Sequence, residues 1–277
     1  MKIRFQIFIV LFAIYFKNCS SQTTEPKKDE IPTPEGYQLV WNDEFNYTGL
    51  PDPKKWGYDV GGNGWGNQEL QYYTEYRTDN AKVENGKLII TAKLENYQGS
   101  SFTSARLVTK NRGDWTYGRI EVRAKLPYGK GTWPAIWMLP TQWNLGNGGW
   151  PDNGEIDIME HVGYDPGIIH ASTHCNKYVH TKGTQKTSTI NIPDAMAQFH
   201  NYILEWTKDD IKMYVDDKHY FTSYNEGKGW EYWPFFKDFH LILNIAVGGT
   251  WGGAQGIDTS IFPQKMEIEY VRVYKKL

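Results

Sequence analysis

GRIEVRAKL, residues 118–126, alternates Ile120, Val122, Ala124 and Leu126 with Arg119, Glu121, Arg123 and Lys125. A period of two places one set on each face of an extended chain, so the segment predicts a half-buried antiparallel strand. GKLIITAKL (86–94), YILEW (202–206), IKMYVDD (211–217), LILNIAV (241–247) and MEIEYVRVY (266–274) read as strands too. Some are apolar on both faces, as expected of strands packed between two sheets. Gly, Pro, Asn and Asp punctuate the gaps, and no amphipathic helix of any length is predicted. Many short strands with turn signals indicate an all-β sandwich or barrel.

The chain has 277 residues. It opens on Met1-Lys-Ile-Arg and an apolar run from Phe5 to Phe16, the pattern of a secretory signal, too short for a comfortable membrane span. Residues 1–19 are therefore expected to be a signal peptide. Cys19 leaves a lipid anchor open beside plain secretion, although Lys17 and Asn18 depart from the usual small, apolar residues before a lipidated cysteine. Residues 20–36, rich in Pro, Thr, Lys and Glu, read as a flexible linker. Residues 37–277 show no second linker and no internal repeat, and read as one domain, expected to be a monomer. The only other cysteine is Cys175, so the fold must rest on its core. A formal net charge of −2 gives no basic footprint for nucleic acid. Twelve Trp, 19 Tyr and 12 Phe exceed what a core needs and suggest a surface that stacks on flat apolar faces.

GEIDIMEHVG (154–163) sets Glu155, Asp157 and Glu160 among Ile156, Ile158 and Met159. On a regular strand 155 and 157 share a face and 160 points away. Adjacent Ile158 and Met159 break the alternation by one residue, and a β-bulge there would return Glu160 to the face of the other two acids. Three carboxylates on one wall raise one another's pKa, so that one keeps a proton while another stays an anion. Retaining glycoside hydrolysis needs that division of labour. The bland alternative, a solvated acidic strand face, is weakened by the surrounding aromatics. A pyranose packs its C–H groups on aromatic faces. Trp133 and Trp137 share parity, although Pro134 between them predicts an irregular or edge strand. Trp143, Trp150 and Trp230 lie in Gly- and Asn-rich loops and suit a cleft rim. His170 and His174 are four apart, but the strand-like context argues against a zinc helix. Cys175 reads as a buried inert thiol.

The acidic strand resembles the active-site strand of glycoside hydrolase family 16, and its extra residue is similar to the laminarinase branch rather than the lichenase branch. The resemblance covers about residues 38–275. It includes LVWNDEF (39–45), NQELQYYT (67–74), GRIEVRAKLPYGKGTWPAIWMLP (118–140) and AVGGTWGG (246–253). It implies a β-jelly-roll sandwich of two antiparallel sheets with a concave substrate cleft, no cofactor for catalysis, and β-glucan polysaccharides and oligosaccharides as substrates. By the same resemblance Glu155 is the nucleophile, Glu160 the acid/base and Asp157 the assisting acid. Trp133 and Trp137 floor the donor side. Asn63, Arg106 and Trp251 hold non-reducing glucosyl units, and His174 sits toward the leaving group. HASTHC (170–175) departs from the family pattern at Ala171, Ser172 and Thr173. A structural calcium would use Glu44, the Gly86 carbonyl and Glu269, the last standing where the family has Asp. The implied activity is endo-β-1,3-glucan hydrolysis in a secreted or surface-anchored protein. A mixed-linkage β-1,3-1,4-glucanase and a non-catalytic β-glucan binder are the alternatives; a binder has no use for three crowded carboxylates.

Overall fold

In the computed structural model, which describes residues 31–277, the alternating segment is the strand Gly118–Lys125. Ile120, Val122 and Ala124 are buried in the core, and Arg119, Arg123 and Lys125 face outward onto Glu205, Glu269 and Glu267. The expected signal at 1–19 and most of the linker expected at 20–36 lie outside the described residues.

Among the described residues the strands, in chain order, are β1 (Tyr37–Asp43), β2 (Gly57–Asp59), β3 (Gln71–Tyr73), β4 (Ala81–Glu84), β5 (Lys87–Tyr97), β6 (Ser100–Ser104), β7 (Arg106–Val108), β8 (Asp114–Trp115) and β9 (Gly118–Lys125). There follow β10 (Thr132–Pro140), β11 (Glu155–Glu160), β12 (Ile168–His174), β13 (Lys186–Asn191), β14 (His200–Trp206), β15 (Asp210–Val215), β16 (Lys218–Tyr224), β17 (Phe239–Val247) and β18 (Gln264–Lys276). The described helical structure is two 3₁₀ turns, His180–Lys182 and Thr259–Ile261. One sheet runs β16-β15-β14-β9-β18-β5-β6-β3, with β1 and β4 paired onto β18 and β5. The other runs β13-β12-β11-β10-β17-β7-β2, with β8 on β17. Apolar faces of both form one core, from Ile120, Val122 and Leu204 on the first sheet to Ile136, Ile156 and Leu243 on the second. This is the jelly-roll sandwich. All nine residues of β17 are buried, which explains its lack of alternation.

Two motifs resolve into structural devices. Asp43 of LVWNDEF is 2% exposed and accepts from Phe45 N, Tyr47 Oη and Trp56 Nε1 at 3.2, 3.0 and 2.9 Å. It ties the end of β1 to the following loop. Asn85 and Gly86 have φ of 53° and 71°, the two left-handed positions that a tight hairpin between β4 and β5 requires.

Two expectations change. Pro134 stands in β10, an interior strand between β11 and β17. Its carbonyl accepts from His161 N at 3.2 Å, just past the end of β11, so the side of Pro134 that lacks an N–H faces a place where the ladder has already stopped. At the expected calcium position, Arg272 donates Nε and Nη2 to the two oxygens of Glu44 at 2.9 and 2.8 Å. Arg123 Nε donates to Glu269 at 2.7 Å. Both carboxylates are already met by guanidinium groups. As arranged, Glu44, Gly86 and Glu269 do not fit a divalent cation, which would have to displace Arg272.

Candidate active site

The bulge is present in β11. Against β10, Asp157 pairs with Trp137, Met159 with Ile136 and Glu160 with Ala135. Against β12, Asp157 pairs with Ser172 and Glu160 with His170. Between Asp157 and Glu160 the strand thus carries one residue more than each neighbour. Ile158 and Met159 are both fully buried. Burying each of these side chains is worth about 1.5–3 kcal/mol, more than the roughly 1 kcal/mol of a ladder hydrogen bond, so the register yields. The disturbed backbone is not left unpaired, because Tyr220 Oη donates to the Ile158 carbonyl at 2.9 Å. Glu155, Asp157 and Glu160 consequently share the outer face of the eight-stranded sheet.

Each acid is held differently. Glu155 accepts from Trp150 Nε1 at 3.0 Å, and Glu160 accepts from Trp133 Nε1 at 3.0 Å. Asp157, between them, has a side chain 3% exposed, with His174 Nε2 at 3.2 Å from its Oδ2. The same His174 nitrogen is 3.8 Å from Glu155 Oε1. Burial first, and then the charge of Asp157, push Glu155 and Glu160 up to about 8. Burial likewise raises Asp157. The three titrate as one cluster: the first to ionise makes the next proton harder to remove. Burial therefore favours the protonated form of each acid, and ionisation of one strengthens the hold of its neighbours on their protons. Among the described residues, Glu155, Asp157 and His174 form the one group of His, Cys, Asp and Glu placed to share an ion, with ligand atoms within 4.8 Å of one another. They are also the side chains that a proton-based reaction would use.

The remaining expected residues flank this wall. Trp133 meets Trp251 edge to face at 5.4 Å, and His170 meets Trp251 at 4.9 Å. Trp137 donates to Asn244 Oδ1 at 2.7 Å. The guanidinium of Arg106 lies between the rings of Trp65 and Trp137, at 4.8 and 4.6 Å, and its Nε is 3.0 Å from Asp59. Asn63 is exposed and caps its own turn, accepting from Trp65 N at 3.1 Å, so what it does directly is present Trp65. His174 of β12 pairs with Glu155 of β11, and Ser172 turns to Thr187 at 3.0 Å. Cys175 is buried with its thiol raised by that burial, in keeping with an inert role.

Several neighbours were not foreseen. Trp65 completes the clamp on Arg106. Asn244 donates to Tyr73 Oη at 2.9 Å, and Tyr73 donates to Glu69 at 3.3 Å. Glu69 also takes Gln71 Nε2 at 2.7 Å, and burial raises its pKa. A hydrogen-bonded relay thus runs from Trp137 to Glu69. Glu69, Gln71 and Tyr73 all come from NQELQYYT, where their alternation, with Leu70 and Tyr72 facing the other way, was the available signal. His180 packs on Trp150 at 5.3 Å and on His174 at 5.2 Å. Nothing local in the sequence marked it.

A family model described as glycosyl hydrolases family 16 matches residues 68–272. A β-glucanase of Rhodothermus marinus is 56% identical over 244 residues, covering 86% of this chain and 85% of that protein. The X-ray structure of the laminarinase from Rhodothermus marinus superposes with a TM-score of 0.86 at 55% identity, over 87% of this chain and 98% of that one. A non-specific endo-β-1,3(4)-glucanase, crystallised with 1,3-β-D-cellotriosyl-glucose, superposes with a TM-score of 0.84 at 49% identity, over 88% of this chain and 96% of that one.

Proposed function

This chain belongs to family 16 of the glycosyl hydrolases, and from that premise we propose that it is an endo-acting, retaining β-1,3-glucanase working by double displacement at Glu155 and Glu160. The observation that carries the assignment of residues is the bulge that sets three buried carboxylates on one wall between tryptophans. In the first step a Glu155 oxygen attacks the anomeric carbon as the glycosidic bond breaks. Glu160 gives its proton to the departing oxygen. In the second step Glu160, now a carboxylate, takes a proton from water, which releases the sugar from Glu155 with net retention. Asp157 remains between them, tuning both through charge and its contact with His174. Trp133, Trp137, Arg106 and Trp251 supply the aromatic and cationic donor-side surface, with Asn63 acting through Trp65. His174 lies on the leaving-group side. No cofactor enters these steps, and the enzyme is proposed to work as a monomer.

The solved relative of mixed specificity supports a second, broader reading in which β-1,3-1,4 chains are also cut. Digestion of laminarin, lichenan and cellulose side by side tests both. Laminarin should be cut internally to short oligosaccharides, lichenan should be cut as well, and cellulose should resist. Cleavage of lichenan with none of laminarin would replace the β-1,3 assignment with the mixed-linkage one.

We also propose export, from the basic start and the apolar run at 5–16, with Cys19 as the attachment point of a lipid. Cys19→Ala should move the protein from membrane to free fractions. Wild type found wholly free outside the cell would leave secretion and remove the anchor.

A further inference from the structure

Trp150 is 36% exposed, yet its indole N–H is spent on Glu155 Oε2 at 3.0 Å. The loop that carries it, residues 141–154, is tied down at several points. Asn153, fully buried, accepts from Leu145 N at 2.9 Å and donates to the carbonyls of Leu145 and Gly149 at 3.1 and 3.2 Å. Lys237 Nζ donates to the same Asn153 oxygen at 2.5 Å. Asp152 accepts from Asn147 N at 3.0 Å and from Asn176 Nδ2 at 2.7 Å. The indole ring is flanked by His180 at 5.3 Å and His174 at 5.9 Å.

We propose that Trp150 is a positioning residue for the nucleophile: its N–H holds Glu155 Oε2 and leaves Oε1 to attack, while His180 braces the ring. This rests on the reading of Glu155 as the nucleophile. A carboxylate attacks through one oxygen, and rotation about its last bond would exchange the two. A donor fixed on Oε2 stops that exchange and keeps Oε1 on the side of His174 Nε2, at 3.8 Å. An indole suits the task because it only donates. It cannot take the proton that Glu160 must deliver, nor offer Glu155 a competing proton. The bond to an ionised carboxylate is also stronger than the same bond to a neutral one, so it favours the attacking form. The exposed remainder of the ring stays available as a wall of the site. Trp133 stands in the same relation to Glu160, so the two glutamates are held by separate indoles from separate segments.

Trp150→Phe keeps the ring and deletes the donor; Trp150→Ala removes both. The measurement is the rate of glycosyl-enzyme formation in the burst phase on an activated aryl β-laminaribioside, with the pH profile of kcat/KM. Trp150→Phe should slow the burst by about 10- to 100-fold, the usual value of a hydrogen bond to a charged group converted to a rate. KM should change little. Glu155 must be ionised to attack, so losing the donor raises its pKa and moves the acid limb to higher pH. His180→Ala should give a smaller change in the same direction. A wild-type burst rate and acid limb in Trp150→Phe would overturn the proposal. So would equal losses in Trp150→Phe and Trp150→Ala with an unmoved limb, since that is what packing alone predicts. The underlying reading is checked separately in wild type, by trapping the glycosyl-enzyme with a 2-deoxy-2-fluoro aryl glycoside and mapping the adduct. An adduct on Glu155 keeps the question on Trp150, and an adduct on another residue overturns both readings.

Discussion

Glu155→Ser should abolish hydrolysis of every β-glucan, with a fall on the order of 10⁴-fold or more, as expected when a covalent nucleophile is removed from an otherwise intact site. The loss should be chemical and not structural. Glu155 is a carboxyl held where its ionisation is opposed, since burial and the charge of Asp157 push it up to about 8. Removing it relieves that repulsion, so the variant should fold at least as well as wild type. The linkage has a definite sign. The folded pKa is raised above the ordinary carboxylate value, so stability is present below about 4.5 and falls as pH rises toward 8. A neutral residue at 155 removes that fall, and the melting temperature of the variant should exceed that of wild type at pH 7 but not at pH 4. The empty space beside the anomeric carbon should still accept a glycosyl fluoride of inverted anomeric configuration and transfer it to an acceptor chain, because Glu160 remains to take the acceptor's proton. Asp157→Asn should be impaired less than either glutamate variant, since its role is to tune and not to bond. NMR of the first-formed product anomer from the wild-type enzyme checks the stereochemistry. An initial α-anomer would exclude retention and with it the double displacement.

Glu160→Gln should lower the rate on polysaccharide by on the order of 10³-fold, within the range that a positioned general acid contributes. Its behaviour should then divide by leaving group. An aryl glycoside whose phenol departs without a proton should still be cleaved, so the glycosyl-enzyme forms and accumulates. Azide, which needs no base, should release it as the β-glycosyl azide and restore turnover. The pH profile adds an independent signature. Burial and Asp157 hold Glu160 protonated to about 8, and activity in wild type should decline as pH rises through the second ionisation of the cluster. In Glu160→Gln on the activated aryl glycoside that basic limb should vanish, while the acid limb, set by ionisation of Glu155, should persist. A variant with unchanged limbs and no response to azide would remove Glu160 from the acid/base role.

How much of this was legible in sequence depends on the distance over which each feature is determined. The strand at 118–126 and its buried face are written in a period of two, and that period is a property of the local backbone. The bulge was legible for a similar reason: adjacent Ile158 and Met159 can both reach the core only if the strand gains a residue there, which turns Glu160 to the side of Glu155 and Asp157. What the chain's local pattern did not contain is which strands become neighbours. Pro134 reads as the mark of an irregular or edge strand; the pairing of β10 with β11 is irregular, and only the stopping of β11 one residue earlier lets Pro134 sit inside a sheet. Glu44 reads as an oxygen donor for a cation, and Arg272, 228 residues away, takes both its oxygens. Asn244 and Tyr73, 171 residues apart, join Trp137 to Glu69 because β17 lies beside β10 and its end meets the segment 69–73, where Leu70 N donates to the Val247 carbonyl. Trp150 is five residues from Glu155, but only the folded loop, pinned through Asn153 and Asp152, brings its indole back onto the carboxylate. The sequence by itself therefore determined the fold class, the carboxylates and the wall they share, since these follow from backbone periodicity and side-chain polarity. The tertiary structure alone decided which donor meets which oxygen, because a hydrogen bond needs two groups within about 3 Å, and in a sandwich of crossed connections that proximity is set by the packing of the whole chain.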